Sequence, residues 1–119
     1  MTWGNKVQIA TALAVEGTEL FSSLVSLNPG EQVHIEVECD FPASPTDNLV
    51  VAAYATLDDT SENWDDTAFL QFEIDKGTDP NKVAFIVSGF YKFRLGFVRA
   101  GGSQTLTTDA WIRKDGVNI

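Results

Sequence analysis

The sequence predicts an all-β protein: a single antiparallel β-sandwich of about seven to eight strands. Three observations favour it. Apolar residues recur at every second position, no segment combines the length and period of a helix, and turn-forming residues interrupt the chain at intervals of roughly 8 to 12 residues. We expect Ig-like, Greek-key connectivity, with a jelly roll as the alternative. A chain of 119 residues is one domain by size, and residues 1–6 form a short N-terminal arm.

The first half of the chain supplies strands of two-residue period. "VQIATALAV" (7–15) alternates as a half-buried strand does. "ELFSSLVSL" (19–27) fits a helical stripe but is too short for a helix, so we interpret it as extended. "LNPGE" (27–31) is a turn, because Pro29 presets φ and the next residue is glycine. "EQVHIEVECDF" (31–41) then alternates strictly.

The second half continues the pattern. Two prolines make "PASPTDN" a loop, and the continuous apolar run that follows is typical of a strand covered on both faces. The remaining strands are expected in the segments "NLVVAAYATLD", "FLQFEID", "KVAFIVSG", "YKFRLGFVRAG" and "LTTDAWIRKDGVNI".

Tyr91 lies two residues before a predicted core position, Phe93, as in the tyrosine corner of Greek-key sandwiches. An ordinary aromatic strand residue would give the same pattern, so both interpretations stay open. In either case Phe93 faces the core, and Lys92 and Arg94 point to the opposite face.

Composition excludes several classes of function. The net charge of −9 argues against nucleic-acid binding, which needs lysine and arginine to neutralise phosphates. No apolar run approaches the ~20 residues of a membrane helix. A single cysteine forms no internal disulfide. The apolar run near the start is broken by Gln8 and Thr11, so we expect no signal peptide.

His34 and Cys39 are the chain's one histidine and one cysteine, and they invite a catalytic or metal-binding interpretation. Their separation of five residues in a strand places them on opposite faces of the sheet. A thiolate and its base need hydrogen-bond contact, and zinc needs further ligands. We therefore expect a buried Cys39 and a surface His34.

The acidic loop 58–66 contains Trp64 among five carboxylates. Clustered oxygen ligands suit Ca²⁺, but the spacing is not that of an EF-hand. A solvated loop explains the same residues, and Trp64 in that loop is suited to stacking on a sugar or anchoring a partner. Neither a nucleotide-binding loop nor a marked pair of catalytic carboxylates is present, so we expect no enzyme activity and no cofactor.

Basic residues concentrate late in the chain: residues 76–119 hold seven of the eight. Lys92, Arg94 and Arg99 belong to one predicted strand, and Arg113 ends the next. If those strands are neighbours, as consecutive strands often are, these side chains form a basic patch for docking. The alternative is cross-strand pairing with the outward acids Glu36, Glu38 or Glu73.

The whole chain resembles the small all-β virion proteins of tailed bacteriophages, particularly capsid decoration or cement proteins. The segments that carry the resemblance are "MTWGNKVQIA", "LNPGEQVHIEVECDFPASPTDNLVVAAYATLD", "TDPNKVAFIVSGFYKFRLGFVRAG" and "WIRKDGVNI". The resemblance implies a sandwich, often trimeric, made in the host cytoplasm and seated on the capsid surface. Such a protein binds the major capsid protein or other virion proteins, and neither nucleic acid nor membrane.

The leading hypothesis is a structural phage protein that binds and reinforces the shell through its N-terminal arm and basic strand face. The expected partner-binding residues are Trp3, Lys92, Arg94, Arg99, Arg113 and Trp64. The alternative is a carbohydrate- or receptor-binding module, on a phage fibre or a host surface, that uses Trp64 and the acidic loop. A host-side adhesion domain is a third interpretation.

Overall fold

The computed structural model describes residues 5–56, 64–76, 81–89 and 92–114. These residues form strands and no helix, so no helix in the described ranges is long and apolar enough to cross a membrane. The nine strands are β1 (Val7–Val15), β2 (Leu20–Phe21), β3 (Val25–Ser26), β4 (Gln32–Asp40), β5 (Leu49–Thr56), β6 (Leu70–Ile74), β7 (Asn81–Ser88), β8 (Lys92–Arg99) and β9 (Leu106–Lys114).

The strands build two antiparallel sheets, which confirms the predicted sandwich. The first sheet has the order β1-β9-β4-β7. The second sheet has the order β2-β8-β5-β6, and the short β3 also pairs with β8. The segment that was ambiguous between helix and strand is extended, because β2 and β3 both lie in it.

The connectivity is that of a jelly roll, the alternative of the two Greek-key arrangements considered. With β2 and β3 taken as one interrupted strand, the first and last strands of the chain lie side by side in the first sheet, and consecutive strands mostly alternate between the sheets. An Ig-like sandwich would instead keep its last two strands in one sheet. Here β8 and β9 lie in different sheets.

The core lies between the sheets and follows the predicted alternation. From β4 it receives Val33, Ile35, Val37 and Cys39, and from β8 it receives Phe93, Leu95 and Phe97, all of them fully buried. Burial of each large apolar side chain contributes about 1.5 to 3 kcal/mol. The residues between them, such as His34 and Arg94, point outward from their sheets.

The edge strand β1 is irregular. Its register against β9 shifts twice between Gln8 and Leu13, and Ala12 adopts a positive φ of 44°. The carboxylate Oδ1 of Asp109 accepts hydrogen bonds from the Ala12 amide at 2.8 Å and from Gln8 Nε2 at 3.0 Å. A bulge of this kind bends an edge strand and limits its pairing with other chains.

Candidate functional site

An open cleft with a volume of about 370 Å³ lies on the outer face of the second sheet. We call it the aromatic–carboxylate cleft. It is lined by Glu19, Phe21, Tyr54, Trp64, Asp65, Asp66 and Arg94. Within the described part of the chain, three aromatic rings, three carboxylates and one guanidinium therefore converge on one depression.

Strand register places the floor of the cleft. Arg94 of β8 lies directly opposite Tyr54 of β5, and both side chains point away from the core. Phe21 of β2 lies opposite Gly96, the next outward position of β8. The chain beside Phe21 is fixed by Ser22, whose amide donates to the Leu95 carbonyl at 2.9 Å and whose hydroxyl accepts from the Leu95 amide at 3.0 Å.

The segment 64–66 forms the second wall. The Asp65 amide donates to the Ala55 carbonyl at 3.0 Å, so this segment is attached to β5. That attachment places the half-buried Trp64 over the sheet and leaves Asp65 and Asp66 exposed at the rim.

Arg94 lies between two aromatic rings. Its guanidinium carbon is 3.7 Å from the centroid of Phe21 and 4.5 Å from that of Trp64. Each cation–π contact of this kind contributes about 0.5 to 2 kcal/mol, depending on how far it is desolvated. The buried Nε of Arg94 has no hydrogen-bond partner among the described residues.

Glu19 occupies space that only a glycine provides. A Cβ at residue 96 would overlap the Glu19 carboxylate and come within 3.0 Å of Tyr54 Cε2. The Tyr54 hydroxyl donates to Glu19 Oε2 at 2.8 Å. Burial raises the pKa of Tyr54, and this hydrogen bond to a carboxylate raises it further. Tyr54 also packs edge-on against Phe21, with the ring centroids 6.1 Å apart.

The predicted basic patch does not form as one surface. Lys92 and Arg94 lie on the outer face of the second sheet, whereas Arg113 points outward from the first sheet opposite His34. Arg99, at the end of β8, donates from Nη1 to the Gln104 carbonyl at 2.7 Å. The patch required β8 and β9 to be neighbours, and they are not, because the chain crosses between the sheets after β8.

The outward acids of β4 are also not beside β8, contrary to the pairing we considered. Glu36 lies opposite Trp111 of β9, and its carboxylate is 3.1 Å from Lys6 Nζ. Lys6 also covers the Trp111 ring at 4.6 Å. The hydrogen bond from Lys6 lowers the pKa of Glu36 in spite of partial burial. Glu38 lies opposite Lys82 of β7.

His34 and Cys39 lie where parity predicts. Cys39 is fully buried in the core, and His34 is half-buried on the outer face of the first sheet. They are not partners in a catalytic pair. Among the residues with described positions, no three His, Cys, Asp or Glu side chains form a group able to hold a metal ion. Most of the acidic loop 58–66 lies outside those residues, so its Ca²⁺ hypothesis stays untested.

The other edge of the first sheet exposes apolar side chains. Ile86 of β7 is 56% exposed. Together with His34, Ala84 and Phe85 it lines a shallow depression of about 470 Å³. Phe85 packs edge-on against Phe72 of β6 at 5.2 Å, where the two sheets meet.

The sequence pointed to two residues of the cleft, Arg94 and Trp64, but not to their neighbours. Phe21 lay in the ambiguous segment, and nothing in the local pattern connected Glu19 with Tyr54. A glycine inside a strand often marks a close approach, so Gly96 was an available signal. Trp3 and Tyr91 lie outside the described residues.

No protein-family model matches the chain, and a search of curated proteins found no relative. The function therefore has to be inferred from the residues themselves.

Proposed function

We propose that this protein is a structural component of a tailed-bacteriophage virion, a decoration or cement protein that binds the capsid shell and reinforces it. The sequence resemblance supports the proposal. The jelly roll is also compatible with it, since viral capsid domains commonly have this fold. Because one fold serves many functions, the proposal depends on a surface suited to assembly.

The observation that carries the proposal is the contrast between the two edges of the first sheet. The β1 edge is bulged at Ala12. The β7 edge pairs with β4 in unbroken register from Ser88 to Asn81, and the described residues provide no strand on its other side. Its only charged residue is Lys82.

An unbroken apolar edge strand of eight residues is a template for another strand. Main-chain hydrogen bonds would give the added strand its affinity, and the exposed Ile86 would give it an apolar anchor. We assign the shell contact to β7 and not to the basic residues, because Arg94 is enclosed by aromatic rings and Arg113 lies on a different sheet from Arg94. The partner is the major capsid protein or another virion protein, and several copies cluster on the shell, with a trimer as one arrangement.

The first test is composition of the particle. Mass spectrometry of purified virions of the virus that encodes the chain should detect it at a fixed ratio to the capsid protein. Its absence from particles would reject the proposal.

The second test compares the two edges. Particles lacking the chain are incubated with purified wild-type protein, Ile86→Lys or Ala14→Lys, and the bound fraction is measured after sedimentation. Ala14 is an exposed residue of β1, so its variant adds the same charge to the bulged edge. We expect Ile86→Lys to weaken binding by about tenfold or more, as loss of a central apolar anchor does, and Ala14→Lys to bind normally. Equal binding by Ile86→Lys and wild type would contradict the role of β7.

A further inference from the structure

We infer that the aromatic–carboxylate cleft is a binding site for a lysine or arginine side chain presented by a basic segment of a partner protein. The cleft lies on the outer face of the second sheet, whereas the proposed shell contact is an edge of the first sheet. The inference is therefore independent of the proposed function, and neither result decides the other.

The position of Arg94 shows that the aromatic rings of the cleft bind a cation. A guanidinium already lies between Phe21 and Trp64, at 3.7 Å and 4.5 Å from the ring centroids. Ring faces attract cations because their quadrupole is negative above the plane. Phe21 is 38% exposed and Trp64 is half-buried, so part of each ring remains accessible to a second cation.

The charge of the cleft favours a cation over an anion. Among the described lining residues, Glu19, Asp65 and Asp66 face one guanidinium, so this part of the lining carries an excess of two negative charges. Asp65 and Asp66 are exposed at the rim, where they can meet an incoming ammonium or guanidinium group without prior rearrangement. The whole chain has the same sign, with a net charge of −9, which would speed the approach of a basic partner.

A peptide suits the cleft better than a free ion does. The volume of about 370 Å³ remains with Arg94 in place, and it lies at the lower end of the range for small-ligand sites. The exposed carboxylates of Asp65 and Asp66 would pair with the side chain of a bound basic residue, and the neighbouring peptide atoms would fill the rest of this volume.

A saccharide is the competing ligand, because aromatic rings and carboxylates also bind sugars. The ring faces nearest the floor are already covered by Arg94, and a neutral sugar gains little from the excess negative charge. The observations thus favour the basic peptide, and the saccharide becomes an outcome of the test.

The test uses the full chain and the probe acetyl-Gly-Arg-Gly-amide, followed by amide and indole chemical shifts in NMR titration. The Trp64 indole signal is identified with Trp64→Phe. The matched peptide carries citrulline, which keeps the shape of arginine without its charge. A panel of neutral monosaccharides is titrated in the same way.

We expect the arginine peptide to shift the Trp64 signal and to bind at least about fivefold more tightly than the citrulline peptide. Glu19→Gln and Phe21→Ala should each weaken binding about 2- to 10-fold. Glu38→Gln removes one carboxylate from the outer face of the other sheet, so it changes the net charge equally but should leave the affinity unchanged.

Three results would overturn the inference. Equal affinity for the arginine and citrulline peptides would show that the charge is irrelevant. A shift of Trp64 with a monosaccharide but not with the peptide would assign the cleft to sugars. Equal weakening by Glu19→Gln and Glu38→Gln would show attraction by net charge alone, without a specific site.

Discussion

Replacement of Ala12 by glycine should stabilise the protein, although glycine normally weakens a strand. Ala12 has a φ of 44°, in the left-handed region, where an L side chain crowds the following carbonyl. Its amide is held there by the 2.8 Å hydrogen bond to Asp109. The backbone strain is therefore maintained by a contact that glycine does not disturb.

Two opposing free energies set the size of the effect. Relief of a left-handed L-residue contributes roughly 1 to 2 kcal/mol. The added flexibility of glycine in the unfolded chain costs about 0.5 to 1 kcal/mol. The difference spans about 0 to 1.5 kcal/mol, so we expect Ala12→Gly to raise the free energy of unfolding by about 0.75 kcal/mol, or Tm by roughly 3 °C for a domain of this size.

Ala14 provides the matched control. It is exposed in the same strand but lacks a positive φ, so Ala14→Gly should lose about 0.5 to 1 kcal/mol. Urea unfolding followed by tryptophan fluorescence measures all three proteins, and equal m-values would show that the denatured states are comparable. If Ala12→Gly destabilises the protein as much as Ala14→Gly does, the reasoning about the bulge is refuted.

Three other predictions concern loops and titrating groups. Gly102→Ala should lower Tm more than Gly30→Ala does. Both glycines have a positive φ, but of the two only Gly102 would place a Cβ against the Asp47 carboxylate. Equal losses of Tm in the two variants would contradict that contact. Lys6→Met should lower the free energy of unfolding by up to about 1 kcal/mol at about pH 7 and by less at about pH 3. The lowered pKa of Glu36 stabilises the folded state above the ordinary glutamate pKa, and this contribution is lost as pH falls through the lowered value. A difference in Tm that does not depend on pH would contradict this prediction. Tyr54 should ionise at a higher pH than an ordinary tyrosine, so its contribution to stability is lost as pH rises through the raised pKa. Glu19→Gln should lower the pKa of Tyr54 in an absorbance titration of the phenolate, in which Tyr54→Phe identifies the signal. An unchanged titration in Glu19→Gln would refute the role of this hydrogen bond.

The strands could be predicted because their signal is local. The strict alternation of β4 separates core from surface residue by residue, and the structure keeps Val33 and Cys39 inside and His34 outside. Period-two burial depends only on neighbours in sequence, so a single sequence suffices to recognise it.

Pairing between strands could not be predicted in the same way. The hydrophobic pattern of β8 predicts which face is buried but not which strand lies beside it. Arg94 was therefore placed near Arg113 by the rule that consecutive strands are often neighbours. The chain breaks that rule after β8. The wrong placement of Arg113 beside Arg94 follows from this one crossing between sheets.

The cleft could not be predicted from the sequence for a related reason. It combines Glu19 with residues from β2, β5, β8 and the 64–66 segment, which come together only at the outer face of the second sheet. Glu19 and Tyr54 are 35 positions apart in sequence and meet because β2 and β5 both flank β8. A contact of this kind becomes visible only when the strand order is known.

The jelly-roll order also separates the two proposed surfaces. The β7 edge belongs to the first sheet, and the cleft opens from the outer face of the second, with the common core between them. A strand added to β7 would extend the first sheet sideways and would not cover Arg94 or Trp64. The geometry thus allows a chain fixed to a shell by one edge to keep a negatively charged aromatic cleft open to a second, basic partner.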